Sequence, residues 1–175
     1  MTDTENIRKG ITLATPSKAA AIALTAGLFC AIMTSTPTWA WEHGKSEDSA
    51  WARMDQDGIQ LSFQCRRGTG RVSMVLSDLS QGADLSAPLR SIDTSGALML
   101  WIQLPDGRTS RDSFAGFNEQ GSVVAEIPAN HINWEFFANG QQLTLQDTGT
   151  RRELFKSQMK GTGAARLAFK ERCGI

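Results

Sequence analysis

The stretch Ile59–Leu76, "IQLSFQCRRGTGRVSMVL", holds two apolar runs of period two on either side of a glycine turn. Ile59, Leu61, Phe63 and Cys65 alternate with Gln60, Ser62 and Gln64, as in a strand with one buried face. "RRGTGR" turns the chain through Gly68 and Gly70, and Val72, Met74 and Leu76 return as a second strand. An antiparallel hairpin with a cysteine at its first turn is the unit from which the rest is read.

Towards the C-terminus the same pattern recurs. Asp78–Pro88 reads as a loop and Leu89–Asp93 as a short edge strand. Gly96–Leu104, "GALMLWIQL", is apolar at every second position in both registers, which predicts a central strand buried on both faces. Trp101 within it and Trp134 beyond read as packing residues rather than as an aromatic binding floor. "PDG" at 105–107 is a tight turn into a partner strand at about Arg108–Phe114, and "NEQG" at 118–121 is another. Val123, Ala125 and Ile127 alternate up to Pro128, which ends a strand. Ala129–Asn139 predicts a short helix with Ile132, Phe136 and Phe137 as its inward candidates and Gly140 as its stop. Gln142–Gln146 and Glu153–Met159 are further strands; Thr162 is placed to cap a final helix with Ala165, Leu167, Ala168 and Phe169 on its apolar side. Seven or eight short strands imply an antiparallel β-sandwich or partly open barrel, with a short helix and a C-terminal helix packed on it. Residues 58–175 form this single domain, preceded by a polar lead-in at 41–57, "WEHGKSEDSAWARMDQD", held to the surface by Trp51.

Residues 1–40 read as a signal peptide. Arg8, Lys9 and Lys18 supply the positive region, and Ala19–Met33 is an uncharged run of 15 residues. Thr38 and Ala40 are the small residues of a cleavage site that leaves Trp41 first. The run is short for a transmembrane helix, which needs about 20 apolar residues, so stable membrane insertion after cleavage is not expected. A retained anchor is the competing reading. The bulky Phe29 before Cys30 disfavours lipidation. The expected compartment is the periplasm, across the inner membrane of a bacterium.

Of 18 basic and 18 acidic residues the leader holds three and two, so residues 41–175 carry 15 against 16, a net charge of −1. That balance gives no support for nucleic-acid binding. Cys30 leaves with the leader, and in an oxidising compartment the two remaining cysteines, Cys65 and Cys173, are expected to join.

Signals for chemistry are few. His43 lies in the polar lead-in and His131 on the short helix, and no G-x-S-x-G elbow accompanies them. His131 and Glu135 are four apart, yet no second histidine or CxxC completes a metal site, so neither metal nor other cofactor is expected. "MDQDG" (54–58) lacks the remainder of a calcium loop, and neither "GTG" belongs to a phosphate-binding fingerprint. Arg66, Arg67 and Arg71 remain as a speculative binding cluster. They either meet a planar anion with their guanidinium forks or keep an edge hairpin soluble.

"IQLSFQCRRGTGRVSMVL" and "LFKSQMKGTGAARLAFKERC" together resemble the ends of a known group. It comprises the VasI/TagO-like periplasmic accessory proteins of type VI secretion and, more distantly, the invasion-associated locus B-like proteins. Cys65, Cys173, Phe155, Gly161, Ala165 and Leu167 match the pattern, while the residue before Cys65 and the final "GI" depart from it. The resemblance implies a disulfide-stapled β-sandwich with a non-catalytic envelope role, and it carries over no catalytic residue. The expectation is a binding or assembly-accessory protein, with an envelope protein or cell-wall-associated component as partner. The alternative is a periplasmic inhibitor of lysozyme-like enzymes, although the S-G-x-x-Y segment of such inhibitors is missing from a chain without tyrosine. A small hydrolase or metal-dependent enzyme comes last.

Overall fold

The hairpin of the opening stretch is β3 (Ile59–Arg66) and β4 (Arg71–Asp78), paired antiparallel with Phe63 opposite Met74 and Cys65 opposite Val72. The structure, a computed structural model, describes residues 40–79 and 96–175. The predicted leader and the edge strand at Leu89–Asp93 lie outside the described residues.

Residues 41–57 are not a lead-in. They form β1 (Glu42–Lys45) and β2 (Ser49–Gln56), and β2 pairs with β3 along its whole length. Ala50, Ala52 and Met54 supply its buried face. Alanines carry little hydrophobic signal, but here their small size lets a helix lie close. The β2–β3 turn, Asp57–Gly58, has positive φ at both residues (53° and 79°), the geometry of a tight hairpin turn. Trp51 is not the residue that pins the segment. It points outward, its ring covering Gly44 on β1 with Arg53 over it, whereas Trp41 is 3% exposed.

The remaining elements are β5 (Gly96–Gln103), β6 (Thr109–Glu119), β7 (Ser122–Pro128), α1 (Trp134–Asn139), β8 (Gln142–Asp147), β9 (Glu153–Gln158) and α2 (Thr162–Cys173). The nine antiparallel strands of the described residues run in the order β1-β2-β3-β4-β7-β6-β5-β8-β9 and curl into a half-barrel. The curl passes through β6. It pairs with β5 from Thr109 to Gly116 and with β7 from Phe117 to Glu119. At the switch Gly116 is buried against Leu98, leaving no room for a Cβ.

One face of the curled sheet is the core. Leu61 and Phe63, Val72 to Leu76, Leu98 to Ile102, Val123 to Ile127, and Leu143 with Leu145 contribute alternate residues to it. The two helices cover this face, α2 lying on β1, β2 and β3 and α1 against α2. Between them and the sheet is an aromatic cluster. The rings of Trp41, Phe63 and Phe137 are 5.7–5.9 Å apart, and Trp134 lies 5.4 Å from Phe137 and 5.3 Å from Phe169. The Trp134 indole also donates to the Ala129 carbonyl (2.8 Å). The cluster buries several large rings in stacked, tilted and edge-on contacts, a favourable use of aromatic area.

Several local expectations need correction. The predicted helix at Ala129–Asn139 is a 3-10 turn, Ala129–His131, followed by α1, with Asn133 capping through its side chain on the Phe136 amide. Phe137 rather than Phe136 is the deeply buried ring. Gly140 ends α1 with ordinary negative φ; glycine is needed because a Cβ would meet Ile102, Met159 and the Phe136 carbonyl. Thr162 does not cap α2: its buried hydroxyl donates back to the Met159 carbonyl (2.7 Å), and Gly161, at φ 99°, precedes the helix. Leu167 is 63% exposed, so the apolar side of α2 is Ala165, Ala168 and Phe169. Gly96–Leu104 is central, but β5 is buried on one face only: Ala97, Met99, Trp101 and Gln103 point outward.

Cys65 and Cys173 are joined, their Cα atoms 6.2 Å apart, tying β3 to the last turn of α2. All described residues belong to one compact unit. No helix among them is long and apolar enough to cross a membrane.

Candidate functional site

The arginines of the opening stretch do not converge. Arg66 lies 3.9 Å from Asp48. Arg67 donates to the carbonyls of Glu47 (3.2 Å) and Arg172 (3.4 Å) and so clamps the β1–β2 turn to the end of α2 beside the disulfide. Arg71 is exposed, without an ion pair to the described residues. Thr69 organises the turn by accepting from the Arg71 amide and donating to the Arg66 carbonyl. With Arg67 held by backbone carbonyls, the turn is better described as a fastening than as a fork for an anion.

The histidines are also apart from any constellation. His43 is exposed on β1 and His131 on the 3-10 turn. Glu135 turns instead to Arg166 of α2 (3.2 Å) and to Asn139. No cluster of three metal-ligating side chains occurs among the described residues. Two carboxyls are held below their ordinary values. Asp106 accepts from the backbone N–H and the guanidinium of Arg108 across the β5–β6 turn, and Glu171 accepts from Lys45. Both are surface groups that fasten a turn or a strand.

The outward face of β6, β5, β8 and β9 is of another kind. Strand alternation places the residues in rows that cross the strands. One row is Thr109, Gln103, Gln142 and Gln158, each opposite the next in register. The adjacent row is Arg111, Trp101, Thr144 and Lys156. Trp101 is half-exposed, with the Arg111 guanidinium 4.8 Å above its ring. Three depressions follow these rows. A 280 Å³ hollow lies over Trp101, Gln103, Thr109, Gln142 and Thr144. A 560 Å³ hollow, walled by Pro105, Gly140 and Lys160, shares Gln103 and Gln142 with it. A third, of 360 Å³, continues past Gln142 and Gln158 to Gln56 on β2.

Sequence reasoning missed this face because Trp101 stands in an apolar run, where burial is the natural reading. The alternation of Gln142, Thr144 and Gln146 with Leu143, Leu145 and Asp147 was the available signal. Comparison with protein-family models, curated proteins and solved structures found no match.

Proposed function

We propose that the chain is an exported, non-catalytic binding or assembly-accessory protein of the bacterial cell envelope. The observation that carries this reading is the Cys65–Cys173 disulfide, which fastens a core strand to the C-terminal helix. Such a structural staple persists in an oxidising compartment and is rare where thiols are kept reduced. A leader of signal-peptide pattern before Trp41 is consistent with it, and so is the resemblance to the VasI/TagO-like and locus B-like periplasmic proteins. Binding work is assigned to the outward face around Trp101, where an aromatic ring and amide side chains border three adjoining hollows.

The test is fractionation and crosslinking in the native cells. The expected protein is periplasmic, begins at Trp41, and has Cys65 linked to Cys173. Crosslinking should hold the wild type on the envelope, and Trp101→Ala should release it, whereas replacing Arg66, Arg67 and Arg71 by alanine should not. A cytoplasmic protein with free thiols would overturn the reading of compartment. Release by the arginine variant alone would move the binding surface to the β3–β4 turn.

A further inference from the structure

We infer that the face of β6, β5, β8 and β9 binds an extended, flat β-1,4-linked glycan strand, which crosses the strands along the glutamine row. This deepens the binding reading above and rests on it. Gln103, Gln142 and Gln158 are in register on adjacent strands, and each amide offers two donors and an acceptor. A sugar hydroxyl is likewise donor and acceptor at once, so a row of amides matches a row of hydroxyls without selecting for charge. Beside the row, half-exposed Trp101 offers an amphipathic ring on which the apolar face of a pyranose stacks once the Arg111 guanidinium over it swings aside. Arg111, which now lies over that ring, brings further N–H donors.

Spacing supports the same ligand. Neighbouring strands lie about 4.8 Å apart. That is close to the advance from one ring to the next in a β-1,4-linked ribbon, so one sugar unit meets each strand. Thr109, Gln103, Gln142 and Gln158 stand on four adjacent strands, which gives the row a length of about four units. A nucleic acid fits less well, because Glu153 stands 3.9 Å from Lys156 and residues 41–175 carry no basic excess. A peptide strand would pair with a sheet edge, whereas these groups lie on a sheet face.

The experiment is titration of the exported, disulfide-linked protein with the hexamers of β-1,4-linked N-acetylglucosamine and β-1,4-linked glucose. The α-1,4-linked glucose hexamer, which coils, is the shape control. Binding is followed by calorimetry and by backbone amide shifts. One or both flat hexamers should bind, with shifts confined to β5, β6, β8 and β9. Trp101→Ala should weaken binding about tenfold. Trp101→Phe should retain part of it, and Gln103→Ala, at an exposed position, should weaken it without affecting the fold. Failure of both flat hexamers to bind would overturn the inference, as would equal binding of the coiled one or shifts elsewhere on the molecule. If the glycans fail while Trp101→Ala still releases the protein from the envelope, the face binds an envelope protein and only the ligand class is lost. If Trp101→Ala changes neither, both readings of this face fall.

Discussion

Trp41 shows how much a single residue does at the seam of the half-barrel. Its backbone N–H donates to the Lys160 carbonyl (2.8 Å) and its indole N–H to that of Gln158 (3.0 Å), while its ring packs on Phe63 and Phe137. Gly161 makes the approach possible. It has φ 99°, and a Cβ there would lie 2.8 Å from the Trp41 carbonyl oxygen. Gly161→Ala therefore meets backbone strain and a steric clash together, and it should lower stability by at least about 1–3 kcal/mol in denaturant unfolding. Trp41→Ala should cost about 3–5 kcal/mol by emptying the cluster. Glu171 supplies the residue-scale pH dependence. Its carboxyl is lowered chiefly by the hydrogen bond from Lys45, so its contribution is present above its ordinary value of 4.5 and is lost as pH falls through the lower folded value. Thermal melts of wild type and Glu171→Gln should differ slightly at neutral pH and coincide in acid.

At the scale of elements, α2 is the piece most dependent on its surroundings. Its buried residues are Thr162, Ala165, Ala168 and Phe169, two of them alanines, so it brings modest apolar area of its own. The disulfide, across 108 residues of sequence, restricts the unfolded chain and holds the last turn of α2 against β3. Reduction should cost on the order of 4–5 kcal/mol by loop entropy. Denaturant unfolding with and without reductant measures it, and an unchanged midpoint would refute the estimate. Arg67 reinforces the same corner through two carbonyls, so Arg67→Ala should lower stability further in the reduced protein than in the oxidised one.

For the whole molecule, the curled sheet has two ends that meet only in part. β1 covers β2 from Ala50 to Arg53, and among the described residues β9 pairs with β8 alone. Central strands have neighbours on both sides and edge strands do not, which predicts a gradient of opening free energies across the sheet. Amide exchange should be slowest in β3, β4 and β7 and fastest in β1 and in β9 between Glu153 and Lys156. Uniform protection would show that the seam is closed in solution. The glycan hexamers give this scale a second readout, because a ligand lying across β5, β8 and β9 should slow exchange in β9.

How much of this was legible in the chain follows from which physical signals are local. The alternation in β3, β4, β7 and β8, the turns at Gly68–Gly70 and 105–107, and the pairing of Cys65 with Cys173 were readable, since period, turn chemistry and a count of two cysteines need no partner to be seen. β1 and β2 were not, because a strand buried through Ala50 and Ala52 is apolar only in the company of the helix that covers it. The exposure of Trp101 was hidden for the converse reason: an apolar run looks the same whether its second face meets protein or solvent. By itself the sequence determined an antiparallel, disulfide-linked β domain with a helix at its end. Only the tertiary structure decided that the sheet curls through β6, that Trp41 closes its seam, and that three glutamines from β5, β8 and β9 stand in one row. Curl, closure and rows arise from contacts between residues far apart in the chain, and no local pattern encodes them.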